Sequence, residues 1–284
     1  MLGRYSVKKI FPVFFGFIFF SSIGLFGLSQ LVAAGEPINK KTISISRTLI
    51  ESPTRDELPT QNLPDSNLSN SKLSNSKRSN SKTATPRIAI IIDDIGYNFK
   101  RGAQAARLPG AVTLAIIPHT PHSISLANAG HNSGKEIMLH APMTNLLNKP
   151  LDEGALSYDM GYFSFRETLK KNLQAIPHVK GVNNHMGSLL TQQKAPMRWL
   201  MEELYAQKLF FIDSRTSSES IAWEIAREEN IPSAERSVFL DNHRDPISIA
   251  RQFEKLISQA QAQGTAIAIG HPYPETLSFL EQAL

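Results

Sequence analysis

An unbroken run of five apolar residues, 88–92, ends in two adjacent aspartates, Asp93 and Asp94. A run of this kind, bounded by polar residues, predicts a β-strand that is buried on both faces. Such strands are typical of α/β folds, in which functional groups gather at the carboxyl ends of the strands. Two carboxylates there are costly to desolvate unless a metal ion or a proton compensates their charge. The pattern therefore predicts a functional site where this strand ends.

Similar short apolar runs recur along the chain, and each is followed by residues with helical periodicity. The predicted strands are residues 88–92, 112–117, 136–139, 179–184, 209–212, 237–240 and 265–269. The predicted helices are residues 98–108, 121–132, 164–175, 195–207, 220–229, 246–263 and 275–283. Ser164 and Glu167 form a capping-box pattern that predicts the start of the third helix. Regular alternation of strands and helices implies parallel strands joined by right-handed crossovers.

The predicted strands all lead into His, Asp or Asn residues. An open sheet brings together only the strand ends near its switch point, whereas a barrel brings them all to one mouth. We therefore predict an α/β fold and, within that class, a (β/α) barrel with one strand for each of the seven apolar runs.

Residues 1–34 have the pattern of a signal peptide. The segment starts with basic residues, an apolar stretch covers residues 10–28, and small residues at Val32 and Ala34 suit cleavage. Because the apolar stretch is almost long enough to cross a bilayer, an uncleaved N-terminal membrane anchor is the alternative. Both interpretations export the rest of the chain, which in a bacterium means the periplasm or the outer face of the cytoplasmic membrane.

Residues 35–86 lack hydrophobic periodicity and contain three copies of Ser-Asn-Ser-Lys. This composition predicts a flexible linker before a folded domain at 87–284, and a basic tract that contacts an anionic polymer or lipid is the alternative. The whole chain has a net charge of +5, but residues 1–86 hold 11 Lys/Arg and 5 Asp/Glu. The remainder carries 19 basic and 20 acidic side chains, a net charge of −1, so we expect no nucleic-acid partner.

The chain contains no cysteine, which excludes disulfides, Cys-ligated zinc and a Cys nucleophile. Asp94, His140 and His185 follow predicted strands, and this set of side chains suits a divalent metal such as zinc. Adjacent residues in an extended strand point to opposite sides, so Asp93 and Asp94 should differ in role unless a turn begins there. One would bind metal while the other accepts a proton from water. The alternative is that the aspartates cap turns and the histidines are structural.

Further polar residues follow other predicted strands and are expected at the same mouth. His271 lies between a glycine and a proline at the end of the last predicted strand. We also expect Asp213, Arg215, Tyr273 and His119 to contact substrate. The alternative for these residues is an exposed position in a loop, or a turn-capping role for the aspartate.

Five motifs occur in the order IIIDDIG (90–96), MLHAPM (138–143), GVNNHMGS (181–188), FIDSRT (211–216) and IGHPYPET (269–276). They resemble the motif series of the divergent polysaccharide deacetylase (YibQ-type) family, and the resemblance runs from residue 87 to the C-terminus. That family is a distant branch of the NodB-homology carbohydrate esterases. The resemblance implies a distorted seven-stranded (β/α) barrel with a divalent metal, which we expect to be zinc. It also implies that Asp93 is the general base, Asp94 a metal ligand and His271 the general acid.

One departure concerns the second metal histidine. Well-characterised deacetylases have two metal histidines in one local segment after the Asp pair, whereas residues 138–143 supply only His140. We expect His185, on the fourth predicted strand, to complete the metal set with Asp94 and His140.

These features predict an exported hydrolase that acts on a carbon–nitrogen bond other than a peptide bond. Its expected reaction removes N-acetyl groups from an envelope polysaccharide or a peptidoglycan-like glycan. The first alternative is a catalytically degenerate protein of the deacetylase fold that binds glycan or has a regulatory role in the cell envelope. The second alternative is a hydrolase for a different ester or amide.

Overall fold

The computed structural model of the protein describes residues 85–284. The predicted leader at 1–34 and all but the last two residues of the predicted linker at 35–86 lie outside the described residues. Within the described part, no helix combines the length and the apolar character that crossing a bilayer requires. The first strand of this part begins at Arg87.

The described residues form one continuous sheet of eight parallel strands. The strands are β1 (Arg87–Ile95), β2 (Thr113–Ile116), β3 (Glu136–Met143), β4 (Val179–Met186), β5 (Phe210–Asp213), β6 (Ser233–Glu235), β7 (Val238–Phe239) and β8 (Thr265–Gly270). Their order in the sheet is β6-β5-β4-β3-β2-β1-β8-β7. Because all the strands run in the same direction, their carboxyl ends lie at one end of the sheet. The predicted α/β class is confirmed.

Seven α-helices of the described part pack around this sheet. They are α1 (Phe99–Ala106), α2 (Ser123–Asn132), α3 (Tyr162–Ala175), α4 (Lys194–Gln207), α5 (Ala222–Glu228), α6 (Pro246–Gln263) and α7 (Pro274–Ala283). The Asn98 side chain caps α1 by accepting a hydrogen bond from Arg101 N at 3.0 Å. The capping-box prediction for α3 is wrong, because the N-cap is Gly161, three residues before Ser164. That helix begins at Tyr162, and the Ser164 hydroxyl donates to Gly161 O at 2.9 Å inside its first turn.

One extended segment, residues 233–239, closes the sheet into a distorted barrel. Its first half, β6, pairs with β5, and its second half, β7, pairs with β8. Between the halves, Arg236 N donates to Asp213 O and Ser237 N donates to Ile267 O, both at 2.9 Å. The barrel prediction is therefore confirmed. The described part has eight strands rather than seven because the short strand β6 precedes β7, which corresponds to the strand predicted at 237–240.

Apolar side chains are buried on both faces of the sheet. Along β1, Ile90 and Ile92 pack with the helices, whereas Ile91 packs in a separate cluster inside the barrel. The interior cluster comprises Ile91, Ala115, Met138, Phe210, Ile212, Ile267 and Ile269. Burial of alternate residues on the two faces explains why the strand has an unbroken apolar sequence.

Gly181 of β4 leaves space for an aromatic ring of this interior cluster. It pairs with Phe210 of β5, and a Cβ atom at position 181 would lie 2.3 Å from the Phe210 ring. Real Cβ atoms do not approach a ring this closely, so a larger residue at 181 would force the ring out of its packed position.

Candidate active site

The two aspartates at the end of β1 contact the same histidine. The pairing of β1 with β2 shifts register between Ile92 and Ile95, and Asp94 has a φ of 56°. A left-handed residue at a bulge interrupts the alternation of an extended strand, so both carboxylates reach one pocket. His140 Nε2 lies 3.6 Å from Asp93 Oδ2 and 3.2 Å from Asp94 Oδ1. The alternation of β1 is therefore broken at Asp94, inside the strand, and the two carboxylates do not lie on opposite faces.

Asp94 Oδ1, His140 Nε2 and His185 Nδ1 form a compact triangle of possible metal-donor atoms. The Asp94–His140 side measures 3.2 Å, and the Asp94–His185 and His140–His185 sides each measure 3.0 Å. In a tetrahedral site, ligand atoms at about 2.0–2.2 Å from a zinc ion lie about 3.3–3.6 Å from one another, so the three donor atoms need to separate only slightly to hold an ion. Asp94 Oδ1 is buried, and no contact made to it by the described residues has hydrogen-bond geometry. A divalent cation would satisfy this acceptor, so the residues present fit a metal.

Asn183 of β4 connects His140 to Asp93. Its Oδ1 accepts a hydrogen bond from His140 Nδ1 at 2.8 Å, and its Nδ2 donates to Asp93 Oδ1 at 2.8 Å. Because His140 donates through Nδ1, its Nε2 faces the donor triangle with a lone pair when the ring is neutral. Asn183 was not among the predicted site residues. Its place in the GVNNHMGS motif, two residues before His185, was the signal that could have identified it.

Burial and charge act against each other within this cluster. Burial raises the pKa of Asp94, but its contacts with His140 and His185 outweigh burial and hold that pKa well below the usual range. Burial lowers the pKa of His140, but the Asp93 and Asp94 carboxylates outweigh it and raise that pKa to about 9. Burial dominates at Asp93 and raises its pKa, although the nearby His140 and His271 oppose this effect. The cluster therefore contains an ionised Asp94 beside a basic imidazole, and a carboxyl group at Asp93 that holds a proton more readily than usual.

His271, at the end of β8, forms a dyad with Asp241. The Asp241 carboxylate accepts hydrogen bonds from His271 Nδ1 at 2.9 Å, His271 N at 2.6 Å and Thr276 Oγ1 at 2.8 Å. His271 Nε2 lies 3.8 Å from Asp94 Oδ2, so this nitrogen faces the donor triangle. Burial lowers the pKa of His271, but the hydrogen bond to Asp241 and the nearby carboxylates raise it overall. Asp241 directly follows the strand predicted at 237–240, but it was not among the predicted site residues.

The other side of His185 contacts a loop residue. His185 Nε2 lies 3.2 Å from Asp152 Oδ2, and the other Asp152 oxygen accepts a hydrogen bond from the Tyr97 hydroxyl. That hydrogen bond is the main cause that raises the pKa of Tyr97 to about 12. Asp152 was not predicted, because it lies within a long loop and no strand or helix pattern pointed to it.

Two of the predicted substrate contacts, Asp213 and Arg215, stabilise the loop after β5. Asp213 is fully buried, and it accepts hydrogen bonds from Arg215 N at 2.8 Å and from Ser220 Oγ at 2.7 Å. Arg215 is half-buried, donates to Ser220 O at 3.3 Å and lies 3.4 Å from Glu235 Oε2. Asp213 therefore has no exposed surface in this structure with which to touch a glycan.

The two remaining predicted substrate contacts differ in position. The centroid of the Tyr273 ring lies 5.4 Å from that of the His271 ring. The Arg244 guanidinium lies over the Tyr273 ring, 3.6 Å from its centroid. His119 is exposed, and its Nε2 lies 2.9 Å from Asn172 Oδ1 on α3. Tyr273 is thus adjacent to the dyad, whereas the described hydrogen-bonding partner of His119 is Asn172 on α3.

The fold and the site together define a deacetylase-like α/β barrel, in which carboxylates and imidazoles meet at the carboxyl ends of the strands. The profile of the divergent polysaccharide deacetylase family matches residues 90–284. The chain therefore belongs to that family, as its motifs predicted.

Relatives from two bacteria share this region. YibQ of Escherichia coli K12 is 35% identical over 196 residues, which cover 69% of this chain and 61% of YibQ. A protein of Haemophilus influenzae Rd is 35% identical over 201 residues, which cover 71% of this chain and 72% of that protein. The crystal structure of ATU2773 from Agrobacterium tumefaciens C58 has a TM-score of 0.67 at 22% identity, covering 69% of this chain and 81% of that one. The last comparison supports the fold.

Proposed function

We propose that the protein is a metal-dependent hydrolase that removes N-acetyl groups from an envelope polysaccharide or a peptidoglycan-like glycan. One observation carries this proposal: a possible base and a possible acid flank the donor triangle. The possible base is Asp93, whose Oδ2 lies 3.6 Å from the triangle atom His140 Nε2. The possible acid is His271, whose Nε2 lies 3.8 Å from Asp94 Oδ2. A site that only bound glycan would not require this combination.

Asp94, His140 and His185 would hold a divalent cation, and their oxygen and nitrogen donors suit zinc. When bound, such a cation supplies Lewis acidity that polarises the acetamide carbonyl and acidifies a water molecule. On the other side of His140, Asn183 accepts the Nδ1 hydrogen and so orients that ring toward the triangle.

Asp93 acts as the general base. It is 3% exposed, and Asn183 Nδ2 holds its Oδ1 at 2.8 Å, which leaves Oδ2 directed toward the triangle. The raised pKa of Asp93 makes the carboxylate a stronger base than an exposed aspartate. In the reaction it takes the proton of the attacking water while the water oxygen bonds to the acetamide carbon.

His271 acts as the general acid. Asp241 accepts a hydrogen bond from Nδ1 and fixes the ring, so Nε2 is the nitrogen that delivers a proton. When the carbon–nitrogen bond breaks, that proton passes to the departing amine. Hydrolysis then consumes one water and yields acetate and a free amino sugar, with Asp93 having accepted one proton and His271 having donated one.

The substrate and its location complete the proposal. Tyr273, beside His271, would contact the sugar through the part of its side chain that the Arg244 guanidinium does not cover. The export pattern of residues 1–34 would direct the domain to the periplasm, or hold it at the outer face of the cytoplasmic membrane, where such glycans occur.

Acetate release tests this function. Zinc-loaded protein is incubated with chitin-type oligosaccharides and with peptidoglycan fragments, and free acetate is measured by a coupled enzymatic assay. Wild type is expected to release acetate, and Asp93→Asn should reduce the rate by about 10²–10⁴-fold. Asp159→Asn, which changes an exposed aspartate in the loop before α3, is the matched control and should behave as wild type.

Three results would count against the proposal. Zinc binding without acetate release from either glycan class would contradict it, and glycan binding under those conditions would favour a binding role. Hydrolysis of small acyl esters with no action on glycans would favour a different ester or amide substrate. An unchanged rate for Asp93→Asn would remove the assigned base.

A further inference from the structure

Asp152 links two strand ends through the loop between β3 and α3, residues 144–161. Its Oδ2 lies 3.2 Å from Nε2 of His185 at the end of β4. Its other oxygen accepts a hydrogen bond from the hydroxyl of Tyr97, just after β1. The Asp152 side chain is only 18% exposed, although it lies in the middle of a long loop. Both carboxylate oxygens therefore have partners, and one partner belongs to the proposed metal set.

The backbone around Asp152 is anchored to the barrel. Gly154 O accepts a hydrogen bond from Asn172 Nδ2 at 2.7 Å, and a Cβ at position 154 would lie 2.2 Å from Asn172 Oδ1. Two residues later, Leu156 N donates to Pro142 O at 2.8 Å, which adds a bridge to the end of β3. Asp152 is thus carried by a fixed backbone, so its carboxylate can define the position of a neighbouring ring.

We propose that Asp152 is a positioning residue for His185, an inference that rests on the proposed metal-dependent function. Asp152 accepts the Nε2 hydrogen of His185, which leaves the Nδ1 lone pair in the donor triangle. The two histidines are then oriented by different partners, because His140 donates to the neutral amide of Asn183 at 2.8 Å, whereas His185 Nε2 lies 3.2 Å from a carboxylate. A carboxylate partner also makes the imidazole a stronger donor to a metal.

The competing interpretation is a structural ion pair. The His185 ring lies between two carboxylates, with Nδ1 at 3.0 Å from Asp94 and Nε2 at 3.2 Å from Asp152. As a structural pair, Asp152 would stabilise the metal-free fold and have no specific effect on metal affinity. As a positioning residue, it would affect metal affinity far more than the stability of the metal-free protein. The two interpretations therefore differ in measurable quantities.

The test measures zinc affinity by competition with a chromophoric chelator at fixed pH. Asp152→Ala should weaken zinc binding by about 10–100-fold, as expected when a carboxylate partner of a ligating histidine is lost. Asp152→Asn keeps an acceptor oxygen without the charge, so its zinc affinity should fall less than that of Asp152→Ala. Tyr97→Phe keeps the carboxylate, so its zinc affinity should fall least of the three. Asp159→Ala is the matched control, an exposed aspartate of the same loop, and should bind zinc as wild type does.

Thermal unfolding of each variant with excess EDTA provides the second measurement. A weaker zinc affinity with an unchanged metal-free Tm supports the positioning role. A lower Tm with unchanged zinc affinity for Asp152→Ala and Asp152→Asn overturns it, as does an equal loss in Asp159→Ala. If wild type binds no zinc, the proposed function fails together with this inference. If wild type binds zinc and releases acetate while Asp152→Ala retains full affinity, only this inference fails.

Discussion

Metal binding at the donor triangle should release a proton from His140. In the metal-free protein the Asp93 and Asp94 carboxylates raise the pKa of His140 to about 9, so the ring is an imidazolium at pH 7. A metal requires the neutral ring, so binding at pH 7 includes the deprotonation of His140. This costs about 3 kcal/mol, because pH 7 lies two units below the pKa of about 9. Apparent zinc affinity should therefore rise about tenfold per pH unit between pH 6 and pH 8.

The stability of the metal-free protein should change in the opposite direction with pH. The folded-state pKa of His140 lies above its unfolded value of about 6.5. Its ionic contacts therefore contribute fully to stability below pH 6.5 and are lost as pH rises through about 9. Chemical unfolding in the presence of EDTA should show falling stability over that window.

Two assays check the proton release. Ring ¹⁵N NMR of the metal-free protein gives the pKa of His140 directly, and zinc calorimetry in buffers of different ionisation enthalpy counts the protons released. Asp93→Asn removes the carboxylate whose charge most raises the pKa of His140, so that pKa should fall and the pH dependence of zinc affinity should become shallower. Zinc affinity that is flat from pH 6 to pH 8, with a His140 pKa near its ordinary value, would refute the reasoning.

Two further predictions concern the dyad and the barrel interior. Asp241→Asn should lower the pKa of His271 and move the alkaline limb of the acetate-release profile to lower pH, because the hydrogen bond to the carboxylate raises that pKa; an unmoved limb would contradict the acid assignment. Gly181→Ala should destabilise the fold by about 1–3 kcal/mol in urea unfolding, because its Cβ would overlap the Phe210 ring. Gly161→Ala, where a Cβ meets no atom within 4 Å, is the control and should cost less.

The strands that could be predicted from the sequence are those with their own apolar signal. The run at 88–92 became β1 because alternate isoleucines are buried on its two faces. In contrast, β6 (Ser233–Glu235) has no apolar run, and only its pairing with β5 makes it a strand. Local patterns also misplaced the start of α3, because Gly161 and the packing of its first turn determine where that helix begins.

At the site, the sequence indicated which residues would meet, but it did not indicate which side chains would contact the other side of each histidine. Strand ends identified Asp93, Asp94, His140 and His271, since parallel strands bring their carboxyl ends together. Asp152 depended on the path of the whole loop from 144 to 161, which no periodicity specifies. The left-handed conformation of Asp94 was equally hidden, because it arises at a bulge between β1 and β2.

The position of His185 explains how a chain with a single histidine in residues 138–143 can still form a three-donor cluster. In the parallel register, His140 pairs with Asn183 and Pro142 pairs with His185. Side chains two residues apart lie on the same face of a strand, so Asn183 and His185 both face His140. Asn183 contacts Nδ1 of His140, and His185 Nδ1 lies 3.0 Å from its Nε2. The neighbouring strand therefore supplies both the residue that orients the first histidine and the second imidazole donor, and no second local histidine is required.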